Sequence, residues 1–240
     1  MTKKGRAERT AATAQQDGRP SAWRQIAGLV GAAFIIGGGS VLGVAASAQQ
    51  HAPQPTPSAS GTIGPAGTGQ PSAGSGKLTL PRSQPVSINI PAIGVQSNLL
   101  RLGLNPDGTI QVPPLYARPS QAGWYKYSPT PGQTGSSVIA GHIDTYQGPS
   151  VFFRLGALRP GNQVDVTLAD RTMAIFRVTG VRSYPKTNWP WQVVFGSVDY
   201  PALHLITCGG TFDYSTRQYL SNTVVFASLV SSRPANLGNG

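Results

Sequence analysis

One cysteine is all this 240-residue chain contains, and acidic side chains are scarce, 8 Asp+Glu against 19 Lys+Arg. A single thiol cannot close an internal disulfide and makes a poor metal site. Stability must then come from a packed core. The thiol, Cys208, is left as either a buried packing residue or a nucleophile. The few carboxylates are scattered, so no calcium cage or other metal site is expected. No P-loop or dinucleotide fingerprint occurs, and no cofactor is expected. Helical periodicity is also weak. Only residues 151–158 read as a short helix, stopped by Pro160.

The net charge of +11 raises the question of an anionic partner. Its distribution answers against nucleic acid. Residues 1–25 hold six basic and two acidic side chains, whereas basic residues beyond position 84 stand singly and form no cluster with interleaved aromatics. Residues 26–48 carry no charge. As a helix these 23 residues would reach about 34 Å, enough for a bilayer core. Lys3, Lys4, Arg6, Arg9, Arg19 and Arg24 precede them, and nothing charged follows until Lys77. The positive-inside rule places the N-terminus in the cytoplasm and the rest outside the cell membrane. The stretch reads as a single-pass signal anchor, longer than a usual signal-peptide core. The alternative is a signal peptide cleaved after Ala46-Ser47-Ala48.

Residues 49–83 contain six prolines, six glycines and five serines, which reads as a flexible, disordered linker. From residue 84 the texture changes to short alternating runs. Strands are expected at 86–90, 137–142, 164–168, 173–178, 203–207 and 223–230. Hairpin turns are expected at Asn105-Pro106-Asp107-Gly108 and Ala169-Asp170-Arg171-Thr172. Such spacing points to a mainly β domain over residues 84–232, closed or nearly closed into a barrel, with residues 233–240 as a tail.

Three side chains carry candidate chemistry. Cys208 ends the apolar run Leu203-His204-Leu205-Ile206-Thr207 and is followed by Gly209-Gly210. Two glycines let backbone approach a substrate closely and place N–H groups beside the thiol, where they could stabilise an oxyanion. His142 ends another strand, in Ala140-Gly141-His142-Ile143-Asp144. Arg217, nine residues past the thiol, could hold a substrate carbonyl or a developing oxyanion. His204 lies about 13 Å along the strand from Cys208, too far for proton exchange, and reads as a packing or surface residue.

The run Leu205-Ile206-Thr207-Cys208 resembles the sortase active-site signature, with His204 standing where threonine is usual. Ala140-Gly141-His142-Ile143-Asp144 resembles the sortase histidine segment, and the position of Arg217 matches the arginine spacing of several sortase classes. The continuation Cys208-Gly209-Gly210, Phe212-Asp213, Tyr219 and Asn222 is most similar to the class F sortases of actinobacteria. In an alternative alignment Asn222 falls near the arginine position. The resemblance implies a sortase-like barrel of about eight strands with short helices. It implies a membrane-anchored cysteine transpeptidase cleaving a C-terminal Leu-Pro-x-Thr-Gly-like sorting motif. Cys208 would be the nucleophile, His142 the acid and base, and Arg217 the oxyanion or substrate contact. The partners would be proteins bearing that motif and an amine of a cell-wall precursor. The Trp- and Pro-rich stretch 185–192 would wall the motif-binding groove. The competing readings are another exported cell-wall cysteine enzyme or a non-enzymatic exported β-domain. A Ser-His-Gly-Cys arrangement of the L,D-transpeptidase kind is absent.

Overall fold

Among the described residues ten strands form: β1 (Pro85–Ile90), β2 (Val95–Leu102), β3 (Ala122–Tyr125), β4 (Gly135–Ala140), β5 (Asp144–Thr145), β6 (Gly148–Pro149), β7 (Gln163–Leu168), β8 (Thr172–Pro185), β9 (Pro201–Asp213) and β10 (Gln218–Pro234). The structure is a computed structural model that describes residues 51–64, 78–115 and 119–235. Eight strands close into a barrel in the order β1-β2-β3-β4-β9-β10-β8-β7, while β5 and β6 make a separate small hairpin. The β2–β3 and β4–β9 pairs are parallel. Closure leaves no free edge to template aggregation.

Alternation builds the core. On β7, Val164, Val166 and Leu168 point inward; on β9, Leu203 and Leu205 do so; on β10, Val225 and Ala227. Trp124 and Phe176 fill the barrel's centre, and Trp124 donates its indole N–H to the Pro129 carbonyl at 3.2 Å. That bond removes the cost of a buried unpaired donor. The turn at 169–172 forms as expected, with the Asp170 carboxylate accepting the Thr172 N–H at 2.9 Å and Arg171 at φ 67°. The turn at 105–108 also forms, but only a single bridge, Leu104 to Ile110, flanks it. Residues 151–158 form turns and one 3-10 turn, Leu155–Ala157, rather than an α-helix. The one α-helix among the described residues is α1 (Trp191–Phe195). None of the described helices is long and apolar enough to cross a membrane, and residues 26–48 lie outside the described set.

The linker expectation needs correction. Of residues 49–83, the described parts pack on the barrel. Ala59 is fully buried within the main core, inside a 3-10 turn started by Pro57. Thr62 donates its N–H to the Thr179 carbonyl, and Leu80 donates to Gly132. Gly180 and Gly156 are glycines because a Cβ there would lie 2.6 Å from the Ser60 oxygen and 2.0 Å from the Pro53 oxygen. Composition misleads here because the strap needs no large apolar side chain. It fits through alanine, proline rigidity and backbone hydrogen bonds.

A charge at Ala59 should lift this strap without unfolding the barrel, since the strap can peel away from an intact sheet. Ala59→Asp is expected to lower Tm by roughly 4 °C, as for a loss of 1–2 kcal/mol in a domain of this size. Limited proteolysis should then cut within residues 51–64. Unchanged protection of that segment would contradict its docking.

Candidate active site

The register of β9 decides which side chains share a surface. Leu203, Leu205 and Thr207 face the barrel interior, so His204, Ile206 and Cys208 face outward. Opposite Cys208 on β10 stands Asn222, and opposite Asn222 on β8 stands Tyr184. On the other flank, β4 runs parallel to β9 with Ala140 beside Ile206. Gly141 continues the ladder by donating its N–H to the Ile206 carbonyl at 3.1 Å. Two residues beyond Ala140 is His142, two beyond Ile206 is Cys208, and the two arrive level on one face.

Both line a groove that opens to solvent. Its floor is Val138, Ala140, Ile206, Cys208 and Asn222. One wall is the segment Thr109–Pro113, and the other is Lys186, Trp189 and Phe195. The second wall is held by a satellite cluster on the barrel's outer face, where Trp189, Val194, Val224 and Phe226 pack with Tyr184, Trp191, Phe195 and Ile206. Trp189 meets Tyr184 edge-on at 6.1 Å and Trp191 at 6.3 Å. Both tryptophans of stretch 185–192 therefore pack the outer face, and Trp189 also lines the groove.

The His142 Nε2 lies 2.7 Å from the Pro113 carbonyl oxygen. A carbonyl only accepts, so Nε2 carries the proton and Nδ1 is the nitrogen left to gain or lose one. The next turn is pinned by Tyr219, whose hydroxyl donates to the Asp144 carboxylate. Burial raises the pKa of Asp144, opposed by that hydrogen bond and by His142. Burial and the Asp144 carboxylate push Tyr219 far up.

Cys208 is unpaired and, as a residue, half-buried. Its thiol lies deep enough for burial to raise its pKa. The nearby Lys186 amine acts against burial, and the Asp144 charge adds to it. The glycines after the thiol answer to packing. A Cβ on Gly209 would lie 2.5 Å from the Thr223 hydroxyl, and Gly210, at φ 75°, sits in the bulge where pairing jumps from Tyr219–Phe212 to Ser221–Gly209. The Gly210 N–H is already engaged, donating to Gln54 of the strap at 3.0 Å.

Arg217 is not brought to the groove. It is exposed on the β9–β10 turn at φ 54°, in a loop tied by the Asp213 carboxylate to Ser215 and Thr216. Counting nine residues from the thiol ends on the turn, and the residue that returns opposite Cys208 is Asn222. Lys186 was not singled out by the sequence. It shares the Trp- and Pro-rich stretch, but nothing in a lone lysine signals that its amine is buried. His204 is a packing residue, with Nδ1 donating to the Val194 carbonyl at 2.7 Å and its ring edge-on to Phe226. Burial lowers its pKa to about 4.

A protein-family model, Sortase domain, matches residues 88–230, more than half of the chain. No curated protein matches at a significant level. Among solved structures, sortase A of Listeria monocytogenes is similar at 17% identity and TM-score 0.47, over 65% of this chain and 93% of that one. Sortase E1 of Streptomyces coelicolor, solved with a tripeptide in its active site, is similar at 18% and 0.48, over 68% and 97%. A sortase from Actinomyces oris is similar at 18% and 0.47, over 70% and 92%. Scores this low add nothing to the family match.

His204 makes the fold sensitive to acid. Its folded pKa is depressed below the ordinary value near 6.5, so the unfolded chain takes up the proton first as pH falls. Stability is therefore full above pH 6.5 and is lost down to about pH 4. Between pH 7 and pH 5 this one group should remove about 2 kcal/mol. Thermal melts of His204→Gln should show a correspondingly flatter pH dependence. Equal slopes in both proteins would refute the assignment.

Proposed function

The chain belongs to the sortase family of cysteine transpeptidases, and from that premise we propose that it cleaves a C-terminal sorting motif of the Leu-Pro-x-Thr-Gly kind and transfers the product to an amine of a cell-wall precursor. The observation that carries this reading is the meeting of Cys208 and His142 in one groove from two adjacent, parallel strands. A groove also suits an extended peptide. Among the residues that line it, Trp189 has its indole Nε1 buried without a partner. Unsatisfied buried groups ask for an explanation, and the amides of a bound peptide supply one.

In the proposed cycle Cys208 gives its proton to His142, and the thiolate attacks the carbonyl carbon of the motif's threonine. A C–S bond forms and the carbonyl becomes an oxyanion. Its collapse breaks the C–N bond, and imidazolium His142 hands its proton to the departing amine. The thioacyl enzyme remains. An incoming amine loses a proton to His142, attacks, and expels the thiolate. Segment 26–48 would hold the enzyme at the membrane with the barrel outside, and the Cys208-Gly209-Gly210 continuation favours class F.

A quenched Leu-Pro-x-Thr-Gly peptide incubated with the enzyme should be cleaved, and mass spectrometry should find the acyl adduct on Cys208. Cys208→Ala should abolish both, and His142→Ala should reduce cleavage by at least the roughly 10²–10⁴-fold typical of a general acid–base. Cleavage that survives Cys208→Ala, or failure across a panel of sorting motifs, would overturn the proposal.

A further inference from the structure

A buried ammonium without a hydrogen-bond partner is costly, and this fold keeps one beside its only thiol. The Nζ of Lys186 is sealed from solvent and has no partner at hydrogen-bonding geometry. It stands in the wall of the groove whose floor holds Cys208. The route is short. Pro185, at the end of β8, pairs with Ser221, which pairs with Gly209. Two strand spacings place the start of the next residue, Lys186, about 10 Å from β9, and lysine's four-carbon stem covers most of that gap. The satellite cluster around Trp189 then holds the stretch down over the groove.

Evolved folds rarely bury an unpaired charge for stability, since packing an apolar side chain there would serve better. The charge is paired only when Cys208 is a thiolate. We propose that Lys186 is the cation of this active site, holding the Cys208 thiolate as an ion pair in the place the sequence had assigned to Arg217. This rests on the sortase reading for the reaction, but the ion pair itself can be measured without any substrate. Other titratable groups also face the thiol: His142 after β4, Asp144 of β5 and Tyr219 of β10. Asp144 is the one that works against the thiolate, and Lys186 offsets it.

The test uses the full chain and iodoacetamide alkylation of Cys208 as a function of pH. Lys186→Met, which keeps the stem and drops the charge, should shift the alkylation midpoint upward by a unit or more, so that the rate at neutral pH falls about tenfold. Lys186→Arg should restore most of it, and Arg217→Gln should leave the profile unchanged. Cleavage of the motif peptide should fall about 10²-fold in kcat in Lys186→Met, with a smaller change in KM. Lys186→Met should also melt at the same or a higher temperature, whereas a merely structural lysine would lower it. An unshifted alkylation midpoint in Lys186→Met, or a shift produced by Arg217→Gln instead, overturns the proposal. Should Lys186→Met fail to fold, that failure counts against it too, because the buried charge would then be structural. If the midpoint depends on Lys186 but wild type cleaves no sorting peptide, the ion pair stands and the substrate assignment falls.

Discussion

Strand β9 is the constraint on which everything else rests. It is paired in parallel with β4 and antiparallel with β10, so each of its residues has two fixed neighbours. Its inward set, Leu203, Leu205 and Thr207, closes the core, and its outward set makes the groove floor. A slip of one residue would exchange the sets, burying Cys208 and placing Thr207 on the outer face. The barrel core therefore enforces the register, and the register aligns His142, Cys208 and Asn222. The geometry of the groove floor is a consequence of hydrophobic packing on the opposite side of the same strand.

The outer face would not stay dry by itself. The connection from β8 to β9 folds back on it, and Trp189, Val194, Phe195 and Trp191 convert an exposed sheet surface into one wall of a groove. The Pro113 carbonyl, by fixing the proton of His142 on Nε2, ties the opposite wall to the histidine. One wall thus packs on Ile206 of the groove floor, and the other bonds to His142. Displacing the 109–113 segment would release Nε2 as well, so the position of that wall and the histidine tautomer are coupled.

Much of this was legible in the sequence, and the failures share a cause. The short runs Val164–Leu168 and Leu203–Thr207 revealed strands because hydrophobic patterning is a local property. Cys208 and His142 were visible as polar residues terminating apolar strands. The strap at 51–64 was hidden because its docking uses an alanine, rigid prolines and backbone groups, none of which registers as hydrophobicity. Arg217 illustrates the limit of counting. A spacing of nine identifies an opposite residue only if the hairpin's length is known, and here the Asp213-tied turn and the bulge at Gly210 move the cross-strand partner to Asn222. Lys186 could not be read at all, because burial of one amine depends on where the connection after β8 lies on the finished barrel.

The electrostatics of the thiol follow from depth. Burial and Asp144 both favour the neutral thiol. A thiol raised in this way is a poor nucleophile, since the thiolate is the reactive form. The Gly210 N–H could have offered a compensating dipole, but it is taken by Gln54. A cation on the exposed turn, such as Arg217, acts through water and salt, which screen it over about 8 Å at physiological ionic strength. A cation sealed in the groove wall acts through protein, where the same charge is worth several times more. The reactivity of the thiol thus depends less on how many basic residues surround the groove than on whether one of them is kept from solvent, and among the described residues that line the groove Lys186 is the one lysine or arginine.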